Sequence, residues 1–219
     1  VSAMGTSPRS AFTSSTCNTP QKIPYSNPTG VCTESRDPTQ LVIVWEPMPQ
    51  IDHNGEGFAY VVSYRKKNSP GARDISTEIT DWRQTELVVG GQEIFTEYAI
   101  SVRARNLKGF SPINKVEHKT GYSGEDVPEV SPTNFAVDPN SINSTSAKFT
   151  WDPVSEDPEL IRGFFKGYEI HFWRSDEPED VRTHEVIINE WNPCPALDGY
   201  AGRRRRRSSE VSAHTSDLW

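Results

Sequence analysis

No apolar run in the 219-residue chain reaches the roughly 18 residues that a membrane-spanning helix requires. The opening Val1-Ser2-Ala3-Met4-Gly5 has neither a basic stretch nor an apolar core, so any secretion or anchoring signal is expected outside this segment. Cysteine is scarce: Cys17, Cys32 and Cys194 are too few and too scattered for a CxxC metal site or a disulfide-rich scaffold. Hydrophobic residues make up 34%, about 40% with the 14 glycines added, below the roughly 45–50% of an ordinary globular chain. Part of the chain is therefore expected not to pack. Nowhere does an apolar period of 3.6 residues persist beyond a turn or two, which excludes helical bundles and coiled coils.

The net charge of -7 argues against a nucleic-acid-binding domain, which needs a basic face. From Pro193 onward five arginines face three acids, a surplus of +2 that leaves -9 on the remainder.

What the sequence does hold is short strands punctuated by turns. Leu41-Val42-Ile43-Val44-Trp45 is β-branched and apolar, and it stops against Glu46-Pro47, because proline removes a ladder donor. Tyr60, Val62 and Tyr64 alternate with Val61, Ser63 and Arg65, one face buried and one wet. Glu86-Leu87-Val88-Val89 is bounded by Gly90-Gly91. The clearest alternation sets Tyr98, Ile100, Val102, Ala104 and Asn106 against Ala99, Ser101, Arg103 and Arg105. These features predict an all-β antiparallel sandwich of about 95 residues.

The pattern recurs. Trp45-Glu46-Pro47 has a counterpart in Trp151-Asp152-Pro153, and Ala59-Tyr60-Val61-Val62 is echoed by Gly167-Tyr168-Glu169-Ile170. The second copy shows no equivalent of the Tyr98 strand, whereas Val1-Ser2-Ala3 through Pro8 resembles the end of such a strand. The expected organisation is a C-terminal remnant of a module at residues 1–20, a complete module at 26–120 and a linker at 121–128. A partial module follows at 129–192, then a divergent, disordered tail at 193–219.

The series Pro28, Trp45, Tyr60-Val61-Val62-Ser63-Tyr64, Leu87 and Tyr98-x-Ile-x-Val-x-Ala-x-Asn106-x-x-Gly109-x-Ser111-Pro112 resembles the fibronectin type III domain. That is a seven-stranded, immunoglobulin-like sandwich, which makes the whole chain a tandem array with truncated flanking modules. The resemblance implies structural core roles for Trp45, Tyr60, Leu87, Tyr98, Val102, Trp151 and Tyr168. Tyr98 is also expected to bond back to backbone at a corner through its hydroxyl. The junction from Gly121 to Pro128, with Trp151-Asp152-Pro153-Val154, Ile161-Arg162-Gly163, Lys166-Gly167-Tyr168 and Trp173, resembles the neuroglian and neurofascin type of neural cell adhesion receptor. That resemblance implies a piece of the extracellular stalk of a single-pass membrane receptor, serving as spacer and protein–protein interaction module in adhesion and axon growth or guidance. Its partners would be other cell-surface adhesion proteins, homophilic or heterophilic, bound mainly through domains outside this chain. The alternative is an ectodomain fragment of a receptor tyrosine phosphatase or another signalling receptor built on such modules.

No enzyme, cofactor, metal or small-molecule substrate is expected. Gly121-Tyr122-Ser123-Gly124 lacks the final glycine and following helix of a nucleophile elbow, and reads instead as a linker whose glycines permit a turn and whose Glu125 and Asp126 stay solvated. The five histidines show no ligand spacing, although His171 and His184 are placed to face each other on neighbouring strands. Asn143-Ser144-Thr145 is a glycosylation sequon on a turn. Cys17 is expected to pair with a cysteine upstream of the chain in preference to Cys32. The run Arg203, Arg204, Arg205, Arg206 and Arg207 before Ser208 admits three readings. They are a basic patch, a processing site, or sequence foreign to the domain, and the loss of β periodicity after Trp191 favours the third.

Overall fold

A computed structural model describes Met4, residues 19–189 and Cys194. Two sheets form the first body. β1 (Cys32–Glu34), β2 (Leu41–Val44) and β5 (Glu86–Val89) make a three-stranded antiparallel sheet in the order β1-β2-β5. Facing it are β4 (Ile75–Ile79), β3 (Ala59–Lys66), β6 (Glu97–Asn106) and β7 (Gly109–Phe110) in that order, with β8 (Lys119–Tyr122) also paired to β6.

The alternating strands behave as their period demands. Along β6 every second residue from Tyr98 to Asn106 is buried, and on β3 the same holds for Tyr60, Val62 and Tyr64. The β3–β6 register sets Val62 opposite Val102 and Tyr60 opposite Ala104, so the inward sets share one face. Leu41, Ile43 and Trp45 close the core from the other sheet, with Leu87 and Val89 partly buried at its edge. Each fully buried Val, Leu or Ile contributes on the order of 1.5–3 kcal/mol to holding the layers together.

β2 differs from an ordinary antiparallel strand, because both of its faces are covered. Val42 and Val44 point away from the core yet are buried, grouped with Cys32 and Cys194. Cys32 and Cys194 form a disulfide with a Cα–Cα distance of 5.5 Å. That pairing takes Cys32 out of the Cys17 question, and Cys17 itself lies outside the described residues.

The second body repeats the front of the first. β9 (Thr133–Val137) pairs antiparallel with β10 (Phe149–Asp152), and β11 (Gly167–Arg174) forms a hairpin with β12 (Glu177–Ile187). Between β10 and β11 lies a four-residue helix, α1 (Pro158–Ile161), capped by Asp157, whose carboxylate accepts the Glu159 amide. Phe135, Phe149, Trp151, Phe165 and Tyr168 make a chain of ring contacts across the second body. Among the described residues this body has no strand equivalent to β6, and Phe135 and Phe149 remain exposed.

Candidate functional site: the inter-module joint

The chain between the bodies is short, and its geometry is set by close packing. A Cβ at Gly124 would lie 1.9 Å from the Asp37 carbonyl oxygen, and one at Gly121 would lie 2.4 Å from Thr33 Cγ2. Neither glycine is in the left-handed region. The expectation that they permit a turn is therefore corrected: they let the outgoing strand press against the chain around β1.

Backbone bonds tie this segment to both bodies. Gly124 donates to Gln40 O at 2.8 Å and accepts from the Phe95 amide at 2.9 Å. Asp126 N then donates to Arg162 O, and Glu129 N to Leu160 O, both at 2.9 Å. Arg162 terminates α1 with φ 56, a left-handed cap that turns its side chain back to the linker. Its guanidinium meets Asp126 at 2.6 Å and Glu129 at 2.9 Å. Arg162 and Asp126 are only about a quarter exposed, so this pair is better shielded than the surface pairs elsewhere. Glu125 accepts the Phe164 amide at 3.4 Å and packs under Gly163. The two linker acids are thus engaged with the second body, which corrects their assignment as solvated residues.

An aromatic cluster seals the joint. Phe95 stacks on Tyr122 with centroids 5.0 Å apart, and Phe164 stands edge-on to both rings at 4.7 Å and 4.9 Å. Such pairs are worth about 0.5–1.5 kcal/mol each beyond the area they bury. Phe95 sits at φ 44, an unusual conformation for a bulky side chain, held by its amide bond to Gly124. Burial pushes the Tyr122 hydroxyl pKa up, with the Glu97 charge adding to it, so the ring stays neutral in the joint.

Trp45, Tyr60, Tyr98 and Val102 lie buried in the first body, Leu87 lies partly buried at the edge of that core, and Trp151 and Tyr168 are half-buried in the second. The Tyr98 hydroxyl donates to Gln92 Oε1 at 2.6 Å, a side chain where backbone was expected. The corner is closed by Ser123, whose hydroxyl accepts the Thr96 amide at 2.7 Å and donates to Glu93 O at 2.6 Å.

Asn143 is exposed between β9 and β10, with Oδ1 accepting from the Thr145 amide at 2.9 Å and the Thr145 hydroxyl at 3.1 Å. His171 pairs with Thr183 and His184 with Ile170, so the two histidines lie on opposite faces of the hairpin and do not meet. Arg103 donates to Ser111 O and covers the Phe110 ring, while Arg105 pairs with Glu78. The run from Arg203 to Arg207 lies outside the described residues. No group of three or more His, Cys, Asp or Glu residues able to hold a metal occurs among the described residues, and no helix there is long and apolar enough to cross a membrane.

Residues 26–119 match the fibronectin type III domain family. The chain is 40% identical to Neuroglian of Drosophila melanogaster over 198 residues, covering 87% of this chain and 15% of that protein. It is 38% identical to Neuronal cell adhesion molecule of Rattus norvegicus over 152 residues, with 69% and 12% covered. Against Neural cell adhesion molecule L1-like protein of Homo sapiens the identity is 32% over 171 residues, with 78% and 13% covered. The chain thus spans no more than 15% of the length of these curated relatives. The fold is similar to the chicken CNTN1 FN1-FN3 domains, with a TM-score of 0.59, 23% identity, and 78% of this chain and 56% of that one covered.

Proposed function

Residues 26–119 are a fibronectin type III domain, and from that premise we propose that the chain is a stalk segment of a neuronal adhesion receptor whose joint acts as a rigid spacer. The observation that carries this reading is Arg162, which closes on Asp126 and Glu129 beside the Phe95–Tyr122–Phe164 cluster. A charge clamp next to an aromatic seal resists bending more than a bare linker of the same length does, because rotation breaks shielded contacts on both sides. A joint of this kind holds outer binding domains at a defined distance and angle from the membrane. The role is mechanical rather than catalytic, on the extracellular side of the membrane, and recognition of other cell-surface adhesion proteins falls mainly to domains outside this chain. The adhesion relatives favour this reading over the receptor phosphatase.

On the same reading the chain is the tail of one module, one complete module and the front of a third. The exposed Asn143 carries an N-linked glycan, which Asn143→Gln removes along with the mass loss seen on treatment with a peptide N-glycosidase. The spacer role is tested in a full-length receptor displayed on cells, by replacing Glu125–Pro128 with a flexible glycine-serine stretch of equal length. A severalfold loss of cell aggregation at equal surface expression supports the spacer; unchanged aggregation overturns it.

A further inference from the structure

The first body carries cations that no acid answers. Lys108 sits on the turn from β6 into β7, Lys115 ends the 3₁₀ turn Ile113–Lys115, and Arg103 belongs to the outward set of β6. Arg103 donates to Ser111 O and Lys115 Nζ to Tyr25 O at 2.9 Å, and none of the three cations pairs with a carboxylate among the described residues. Their neighbours differ, for Arg105 is matched by Glu78 and Lys119 by Glu117 at 3.8 Å. Among these cations lie Tyr25, Phe110 and Ile113, 46–66% exposed. The group forms one seam, because Lys115 reaches Tyr25 and the Arg103 guanidinium lies 4.8 Å over the Phe110 ring. Single exposed apolar side chains are ordinary, but an apolar group rimmed by charge marks an interaction site.

The second body carries the complement. β11 and β12 meet at a tip where residues 174–182 hold four acids against two arginines, with Glu177 and Glu179 exposed. Asp176 and Asp180 are taken by Arg174 and Arg182 at 2.6 Å and 3.2 Å, whereas Glu177 lies 3.9 Å from Arg174. Trp173 and Val181, 55% and 50% exposed, share the hairpin face opposite to Phe172 and Arg182. A tip with a tryptophan, a valine and surplus acid fits a seam with a tyrosine, a phenylalanine, an isoleucine and surplus base. Both surfaces are open within one chain, so the match is available to a second copy.

We propose that the chain self-associates through these two surfaces, with the Lys108–Lys115 seam of one copy seated on the β11–β12 tip of another. Because each copy carries both, a two-fold axis uses the contact twice and gives a closed antiparallel pair. The doubling matters, since a stable interface buries about 1,200–2,000 Å² and one hairpin tip is small on that scale. The apolar centre supplies affinity, while the charges fix the alignment: a parallel pair would set base on base and acid on acid. This contact belongs to the stalk itself, adds to recognition by outer domains, and does not require the joint to act as a spacer.

The test is sedimentation velocity over a concentration series of the full chain, run beside two charge-reversed variants, Lys108→Glu with Lys115→Glu and Glu177→Lys with Glu179→Lys. All four sites are exposed, so the variants are expected to keep the native circular dichroism spectrum. The native chain is expected to pass from monomer to dimer, and each variant alone to dimerise about tenfold more weakly or worse. An equimolar mixture of the two variants is expected to recover the native affinity to within about threefold, since the reversed seam then meets the reversed tip and the native seam the native tip. A native chain that stays monomeric throughout overturns the pairing. Dimerisation that survives in either variant alone also overturns it, by placing the contact elsewhere, and so does a mixture that fails to recover. A carbodiimide, which joins amines to carboxylates in contact, gives a check that needs no variant. On mixed light and heavy isotope-labelled native chains it is expected to link Lys108 or Lys115 of one label to Glu177 or Glu179 of the other, and absence of such mixed links overturns the proposal.

Discussion

Tyr60 meets Trp45 edge to face with ring centroids 5.5 Å apart, and the chain repeats the arrangement at Tyr168 and Trp151, 5.2 Å apart. The hydroxyls repeat it too, since Tyr60 accepts the Met48 amide at 2.9 Å and Tyr168 the Val154 amide at 3.2 Å. Tyr60 also donates to Trp82 O at 3.2 Å, so one phenol joins two segments across the first core. The same two residues thus lock one layer to the next in both bodies. The first pair is deeply buried and the second half-exposed.

Tyr60→Phe leaves the buried Met48 amide without its acceptor. An unmet buried donor costs about 1–3 kcal/mol, whereas an amide that can reach water costs less. Tyr60→Phe is therefore expected to lower the stability of the first body by about 2 kcal/mol, and Tyr168→Phe to cost the second body well under 1 kcal/mol. Urea denaturation of each variant checks both values.

Asn27 fastens the start of the first sandwich to its far strand. Its Oδ1 accepts the Ala104 amide at 2.9 Å and the Ser111 hydroxyl, and its Nδ2 donates to Pro112 O at 3.4 Å. Asn27→Ala strands one buried amide and one buried hydroxyl, for an expected loss of about 2–3 kcal/mol. Asn27→Asp keeps the acceptor but places a charge in a buried site, and is expected to destabilise as well. Thermal denaturation of both variants against the native chain is the check.

The sandwich was legible because its signals are local. Period-two alternation identified the inward sets of β3 and β6, and the doublet of tryptophans revealed the repeat. The joint was not legible, because its contacts run between positions about 27 or more residues apart with no pattern of their own. Ile161-Arg162-Gly163 stood out as part of a resemblance, but nothing in the sequence says that Arg162 reverses at a left-handed cap to face Asp126. Phe95 and Phe164 look like any loop aromatics until the fold stacks them on Tyr122. The Cys32–Cys194 pair was hidden for the same reason, since cysteine spacing does not encode connectivity. Gly124 was read as a residue that permits a turn because glycine serves two purposes, conformational freedom and close approach, and a sequence does not separate them.

His53 makes the first body sensitive to acid. The ring is buried against Phe58, stacked at 3.6 Å, and its Nε2 lies 3.2 Å from Met48 O. Burial pushes its pKa below the ordinary 6.5, outweighing the Met48 bond and the Asp52 charge, which both pull it up. Because the folded pKa is the lower one, the unfolded chain takes up the proton first. The stabilisation is complete above pH 6.5 and is lost as pH falls toward the folded value. Urea midpoints are expected to drop between pH 7.5 and pH 5, and His53→Gln is expected to flatten that slope.

Gly124→Ala is the most direct test of how the joint is assembled. The added methyl falls on the Asp37 backbone, 1.9 Å from its carbonyl oxygen and 2.9 Å from Pro38 Cα, and backbone on both sides cannot yield as a flexible side chain does. The strand must move away, which weakens the Gly124 amide bond to Gln40 O and the Phe95 amide bond to Gly124 O. Freed of that bond, Phe95 has less to hold it in the left-handed region and leaves its place on Tyr122. The expected loss is about 2–4 kcal/mol, read as earlier urea unfolding, because overpacking and two strained hydrogen bonds act together. Gly90→Ala, where no atom lies within 4 Å of the new carbon, is the control and is expected to be neutral to within about 0.5 kcal/mol. Equal midpoints for the two variants would mean that close approach at Gly124 does not set the joint.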